Sequence, residues 1–273
     1  MTKRALISVW NKDKIVEFAD ELVKKYGYEI VATGSTYDLL KLNGIEAKEI
    51  SEITGRRQLI NGKVKTIYPD IFAGILADLN NKTEYEEVEK FDIKLFDIVA
   101  VNFYPFEETA EKECEETELL NSIDIGGPSI LRAAAKNSKR VLAISSIEQY
   151  KQVLDDLKEH NGEHSLQLRR EFAIKVFEKT LDFDTKILHE LSNRFEEDSE
   201  NYYSLNIRKT KNLRYGENPH QTAGIYYTNN TIDYEVLNGK ELSYNNILDA
   251  AACCGILSEF YDVCAVAIVR HAA

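Results

Sequence analysis

Apolar and polar positions along the chain switch between two periods. Residues 5–9 form a short apolar run interrupted only by Ser8, the pattern of a buried strand. From residue 14 to 26 the apolar side chains Ile15, Phe18, Ala19, Leu22 and Val23 recur at helical spacing, and Gly27 predicts the helix end. Residues 29–32 read as the next strand, Thr33-Gly34-Ser35-Thr36 as a tight turn, and residues 37–42 as a helix closed by Asn43-Gly44. Residues 98–101 and 141–144 are further buried strands. Strand–helix alternation of this kind predicts an α/β fold: a parallel sheet covered by helices on both faces.

The helical signal then lengthens. Residues 147–157 predict one helix. Residues 166–195 carry Phe172, Ala173, Val176, Phe177, Thr180, Leu181, Ile187, Leu188 and Leu191 at a spacing near ~3.6, with a break expected around residues 182–184. The acidic run Glu196-Glu197-Asp198-Ser199-Glu200-Asn201 places a domain boundary at residue 200, giving units 1–200 and 201–273. Beyond it, residues 223–228 and 231–237 resemble a hairpin across Asn229-Asn230. Residues 246–260 predict a small-residue helix, and residues 263–269 a very apolar strand. A buried strand is rarely the last element of a domain, so the second unit reads as cut short.

Composition narrows the functional classes. The formal charge is −12, which argues against broad binding to nucleic acid or anionic membrane, while leaving room for a phosphorylated small molecule held by a few local cations. No apolar run approaches the roughly 18 residues of a membrane span. The apolar run at the N-terminus is too short for a signal peptide. Cys114, Cys253, Cys254 and Cys264 form neither a CxxC pair nor a zinc-type spacing, which fits idle thiols in a reducing cytoplasm.

Several segments carry candidate chemistry, and each has a plainer reading beside it. The turn Thr33 to Thr36 opens a helix, where unpaired N–H groups and hydroxyls suit a phosphate; an ordinary helix cap has the same composition. Gly62-Lys63-Val64-Lys65-Thr66 is a compact basic segment, or two solvated lysines. Asn102-Phe103-Tyr104-Pro105-Phe106 follows a strand at its carboxyl end, where α/β sheets place ligand sites; an aromatic turn packed on the core fits equally. Asp124-Ile125-Gly126-Gly127-Pro128 leads into a helix carrying Arg132 and Lys136-Asn137, and its glycines permit close approach of a ligand to backbone. It also reads as a capped helix with surface charges. Arg214-Tyr215-Gly216-Glu217-Asn218-Pro219-His220-Gln221 is rich in polar and ring side chains, although His220 is equally a structural histidine.

Taken in order, these segments resemble one family, the bifunctional purine-biosynthesis proteins that join AICAR (aminoimidazole-carboxamide ribotide) transformylase to IMP cyclohydrolase. Residues 5–9, 123–128, 132–137 and 212–221 belong to the match with the motifs above. The resemblance implies a methylglyoxal-synthase-like doubly wound parallel sheet, followed by the start of a second α/β domain, the transformylase. It implies closure of formyl-AICAR to IMP with loss of water, without metal or cofactor; the transformylase takes 10-formyltetrahydrofolate as co-substrate. On the same ground Lys65, Tyr104, Asp124 and Lys136 form the catalytic group. Ser8, Lys12, Thr33, Gly34, Ser35, Thr36, Lys63, Thr66, Asn102, Ile125, Gly126 and Gly127 hold the phosphoribosyl-imidazole substrate, with oxyanion donors from Tyr104, Asn102 and the backbone near Gly126-Gly127. Arg214, Tyr215 and His271 belong to the transformylase part. A cytoplasmic homodimer is expected.

The chain departs from the family pattern at several positions. Lys63 stands where Arg is usual, keeping the charge but not the bidentate fork. Tyr68 replaces a His before Pro. Trp10 and Asn11 stand where a small or aromatic residue and an Asp are common. Arg270-His271 replaces a Lys-His pair, and Arg does not release its proton near neutrality. Two other readings keep the fold: a non-catalytic module sensing a phosphometabolite, and methylglyoxal synthase itself. The first needs the phosphate cradle but not the four catalytic residues together. The signature after residue 200 counts against the second.

Overall fold

The structure is a computed structural model that describes residues 2–56, 58–60, 62–112, 114–195, 204–227, 234–270 and 272. The chain divides into two compact units, Met1–Asp198 and Ser199–Ala273. The first contains β1 (Arg4–Val9), α1 (Ile15–Tyr26), β2 (Glu29–Ala32), α2 (Gly34–Leu42), β3 (Ala47–Glu49), α3 (Ile50–Thr54), α4 (Pro69–Leu76), α5 (Lys82–Lys90), β4 (Ile98–Asn102), α6 (Phe106–Ala110), α7 (Glu116–Asn121), α8 (Gly126–Lys136), β5 (Leu142–Ile144), α9 (Gln149–Glu159) and α10 (Leu166–Arg194).

The five strands pair in the order β3-β2-β1-β4-β5, every pair parallel. From β1 the chain winds outward through β2 to β3, then returns to the other side of β1 with β4 and β5. The carboxyl ends of β1 and β4 therefore flank the topological switch point, where such sheets open a crevice.

Alternation along the strands explains why each reads as a continuous apolar run. Ala5, Ile7 and Val9 face one core with Ile30, Ile98 and Ile144; α1, α9 and the start of α10 close it with Phe18, Leu22, Val153 and Phe172. Leu6, Val31, Val99 and Val101 face the other core, closed by Ile71 and Ile75 of α4, Ile130 and Ala134 of α8, and Val176 and Phe183 of α10. Polar residues have almost no place in strands buried on both faces.

The helix predicted to break near residues 182–184 runs unbroken for 29 residues. Phe183 is buried and continues the stripe from Phe172, Val176 and Thr180, and Asp182 pairs with Lys186 one turn on at 2.9 Å. The two acids flank an anchored position, so they sit on the solvent side without interrupting the helix.

In the second unit β6 (Arg208–Leu213) pairs antiparallel with β7 (Ala223–Tyr227), and α11 (Tyr244–Leu257) follows, started by a Ser243/Asn246 capping box. Of the expected partner of β7, residues 231–237, only residues 234–237 are described, and they are not in a strand. Residues 228–233 lie outside the described residues, and Val236 and Leu237 are exposed coil. The sequence signal missed β6 because its alternating cations carry no apolar period. Residues 263–269 form no strand: Val263, Val266 and Ile268 are exposed and no described strand lies beside them to supply ladder hydrogen bonds. Among the described residues no helix is long and apolar enough to cross a membrane.

Candidate active site

At the switch point lies a cavity of about 430 Å³, within the size range of small-ligand sites. Its floor is the carboxyl ends of β1 and β4. One side is the N-terminus of α2, the other the N-terminus of α8, and the segment carrying Lys63, Lys65 and Thr66 closes the edge. Two helix N-termini and a set of lysines meet here in a strongly acidic protein, an arrangement that suits an anion.

Hydroxyls hold the α2 side in place. Ser8 Oγ and Thr33 Oγ1 are 2.7 Å apart, and the buried Thr36 hydroxyl donates to Val9 O at 3.1 Å while accepting from Val9 N–H. The Thr36 and Tyr37 N–H groups return to Thr33 O. The preceding N–H groups, of Gly34 and Ser35, belong to the first turn of the helix, which has no intrahelical acceptors for them.

Asp124 organises the opposite side. Its Oδ1 accepts the Gly127 N–H at 2.9 Å, and the backbone of Gly126 and Tyr104 also stabilises its charged form. Burial nevertheless wins and pushes the carboxyl above its ordinary range, opposed by these hydrogen bonds and by the neighbouring Lys65 ammonium. A side chain at either glycine would displace a side chain of the site. A Cβ on Gly127 would stand 2.7 Å from Asp124 Oδ2, and one on Gly126 would stand 2.9 Å from Thr66 Oγ1.

Lysines supply the charge. Lys63 donates to Asn121 Oδ1 at the end of α7, at 2.8 Å. Lys12 donates to Val9 O and Trp10 O beneath the cavity edge, and burial first, then repulsion from Lys65, holds its ammonium below the ordinary range. An added anion would relieve that repulsion. Among the described residues no group of three or more His, Cys, Asp or Glu side chains is placed to hold a metal ion.

Most of the residues singled out in the sequence meet at this cavity. Ser8, Thr33, Ser35, Thr36, Lys63, Lys65, Thr66, Asn102, Tyr104, Asp124, Ile125, Gly126 and Gly127 line it. Gly34 opens α2 between two of them, and Lys12 lies close enough to interact with Lys65. Lys136 does not join them. It is exposed in the last turn of α8, about 15 Å from Gly126 at a rise of ~1.5 Å per residue, so the helix that carries both separates them.

Three of the expected oxyanion donors have other partners. The Gly126 and Gly127 N–H groups serve Asp124. The Asn102 side chain binds the backbone of Trp10 and Asn11. Trp10 and Asn121, which sequence reasoning did not place in the site, line the cavity. Arg214 and Tyr215 lie in the second unit, where the guanidinium sits 4.7 Å from the phenol ring and donates to its oxygen at 3.0 Å. Hydrogen bonds from Ser243 and Arg214 hold that phenol below its ordinary pKa. His271 lies outside the described residues.

Two family models match the chain, one after the other. Residues 14–129 match the MGS-like domain, and residues 134–273 match the AICARFT/IMPCHase bienzyme. The bifunctional purine biosynthesis protein PurH of Persephonella marina is 43% identical over 281 residues, covering 99% of this chain and 54% of that protein. PurH of Bacillus subtilis is 43% identical over 275 residues, covering 98% and 53%. The crystal structure of ForH superposes with a TM-score of 0.63 at 28% identity, over 70% of this chain and all of that one. The chain thus spans about half the length of the PurH relatives it matches. With a match over more than half its residues, the chain belongs to the AICARFT/IMPCHase bienzyme family.

Proposed function

We propose that residues 1–200 form an IMP cyclohydrolase that closes formyl-AICAR to IMP with loss of water. The observation that carries this reading is the gathering of Lys65, Tyr104 and Asp124 at one cavity that also holds the cation-rich end of the sheet.

The substrate carries both reacting groups on adjacent ring carbons, so the protein need only fix the reactive rotamer, stabilise an oxyanion and move protons. The phosphate sits at the α2 N-terminus, near Gly34, Ser35, Lys12 and Lys63. The carboxamide nitrogen attacks the formyl carbon and loses a proton to Asp124, whose raised pKa makes it a stronger base than an exposed carboxylate. The formyl oxygen gathers that charge and is met by the Lys65 ammonium and the Tyr104 hydroxyl. Lys65 protonates it to a hydroxyl and is reprotonated by the proton that Asp124 took; the proton of the formamido nitrogen then passes to that hydroxyl, the C–O bond breaks, and the oxygen leaves as water. No electrons are transferred, and one water is released per IMP formed. Lys136 has no part in this scheme, because α8 carries it away from the reacting atoms.

The second unit, residues 201–273, is read as the start of the AICAR transformylase, whose co-substrate in the family is 10-formyltetrahydrofolate. Incubation of AICAR with that folate, followed for formylated product, tests this part separately. By analogy with the family, the chain is read as part of a cytoplasmic homodimer.

The test is purified chain with formyl-AICAR, followed by the absorbance of IMP. Turnover is expected. Lys65→Ala or Asp124→Ala should each lower kcat by roughly 10²–10⁴-fold with thermal unfolding retained. Absence of IMP formation by the well-folded chain would overturn the reading.

A further inference from the structure

We propose that Asn102 is a positioning residue that acts on the site through Trp10, and that the Trp10 indole is a wall of the cavity that receives the flat imidazole ring of the substrate. The proposal rests on the cyclohydrolase reading and adds to it a specificity-determining residue.

The argument starts where two strands end. Val9 and Asn102 are register partners at the last rung of β1 and β4. Past that rung the chain leaves the sheet, and the Trp10 and Asn11 backbone has no ladder partner. The Asn102 side chain takes the place of one. Its Oδ1 accepts the Trp10 N–H at 2.6 Å and the Asn11 N–H at 2.9 Å, and its Nδ2 donates to Asn11 O at 2.9 Å. A side-chain amide carries an acceptor and a donor on one planar group; a carboxylate offers only acceptors, and an aliphatic chain neither.

The other face of the same turn is also held. Lys12 Nζ donates to Val9 O at 3.1 Å and to Trp10 O at 3.3 Å. Both polar groups of the Trp10 backbone are therefore fixed, and the direction of its side chain is fixed with them. The indole stands against Tyr104, ring centroids 5.0 Å apart and planes 67° to each other. It lines the cavity while remaining 54% exposed. A large aromatic surface left open beside a polar site, and held there by three hydrogen bonds from a neighbouring strand, is placed for contact with a flat ring.

Contact with a planar ring is made equally in the substrate and in the transition state, so it acts on binding and not on the chemical step. Trp10→Ala is therefore expected to raise KM for formyl-AICAR about tenfold with kcat within about twofold, and Trp10→Phe to restore KM. Asn102→Leu, close in size but without polar atoms, should raise KM to a similar degree. It should also shift the emission of Trp10, which is the only tryptophan in the chain. In the Trp10→Ala background Asn102→Leu should change KM no further, because the two act as one unit.

Multiplying effects of the two substitutions would mean that Asn102 meets the substrate by itself, and would overturn the proposal. So would an Asn102→Leu variant with unchanged KM and emission. If that variant does not fold, Asn102→Asp keeps an acceptor for both N–H groups and loses the donor, and should fall between wild type and Trp10→Ala in KM; unchanged KM there overturns the proposal as well. A wild-type chain that forms no IMP sinks the cyclohydrolase reading alone. The wall is then judged by titrating IMP against Trp10 emission: quenching that Asn102→Leu weakens supports it, and no response overturns it.

Discussion

At the scale of single residues, two opposing influences meet on Asp124. Burial drives its carboxyl toward the neutral form, while the Gly127 N–H, Lys65 and neighbouring backbone hold it charged. Replacing Gly127 by Ala would put a methyl group within 2.7 Å of Asp124 Oδ2 and displace the carboxylate. We expect kcat to fall roughly 10²-fold, since misplacement by about 1 Å has that scale, with KM less affected. Lys136→Ala should leave kcat within about twofold, measured in the same assay; a loss comparable to that of Lys65→Ala would restore Lys136 to the catalytic group. Much of the site was legible as an ordered string of motifs. Lys136 was not separable from Asp124 in sequence, because only the length of α8 sets them apart. Asn102 read as a ligand-binding polar residue at a strand end, and its actual partners, the N–H groups of Trp10 and Asn11, lie just past the end of a neighbouring strand, a proximity that a one-dimensional pattern cannot see.

At the scale of elements, the strands of the sheet announced themselves because both faces are buried, and α1 because its stripe is regular and Gly27 ends it in the left-handed conformation. The short elements between β3 and β4 gave no comparable signal, since they are stabilised by tertiary contacts. Arg140 is one of these contacts. Its guanidinium donates to Gly74 O, Ile75 O, Ala77 O and Phe96 O at 2.7 to 3.1 Å, which closes the C-terminus of α4. Arg140→Met should destabilise the first unit by about 3 kcal/mol in urea unfolding, through carbonyls left without donors, while kcat of the folded protein stays unchanged. A loss below about 0.5 kcal/mol would show that water replaces the guanidinium at no net expense.

At the scale of the whole molecule, site and stability determinants lie at opposite ends of one sheet. Both apolar cores fall within the first unit, and under the proposed function residues 1–198 alone should form IMP as fast as the full chain. At the amino ends of the strands His164 is 8% exposed, and burial first, only partly offset by Asp156, lowers its pKa to about 4. It is neutral at pH 7, so its 3.4 Å approach to Asp156 is a polar contact and not an ion pair. A depressed folded pKa gives stability that is complete above the unfolded value of about 6.5 and is lost as pH falls toward 4, by up to ~1.4 kcal/mol per pH unit. Thermal unfolding of wild type should steepen its pH dependence in that window, and His164→Gln should flatten it; parallel curves would count against a neutral buried histidine. The central claim, that one cavity at the switch point binds the purine nucleotide for ring closure, is tested most directly by a crystal structure with IMP. The account predicts the phosphate about 3 Å from the Gly34 and Ser35 N–H groups and the base beside Lys65, Tyr104 and Asp124. IMP bound anywhere else, or with its phosphate at the α8 end of the cavity, would contradict it.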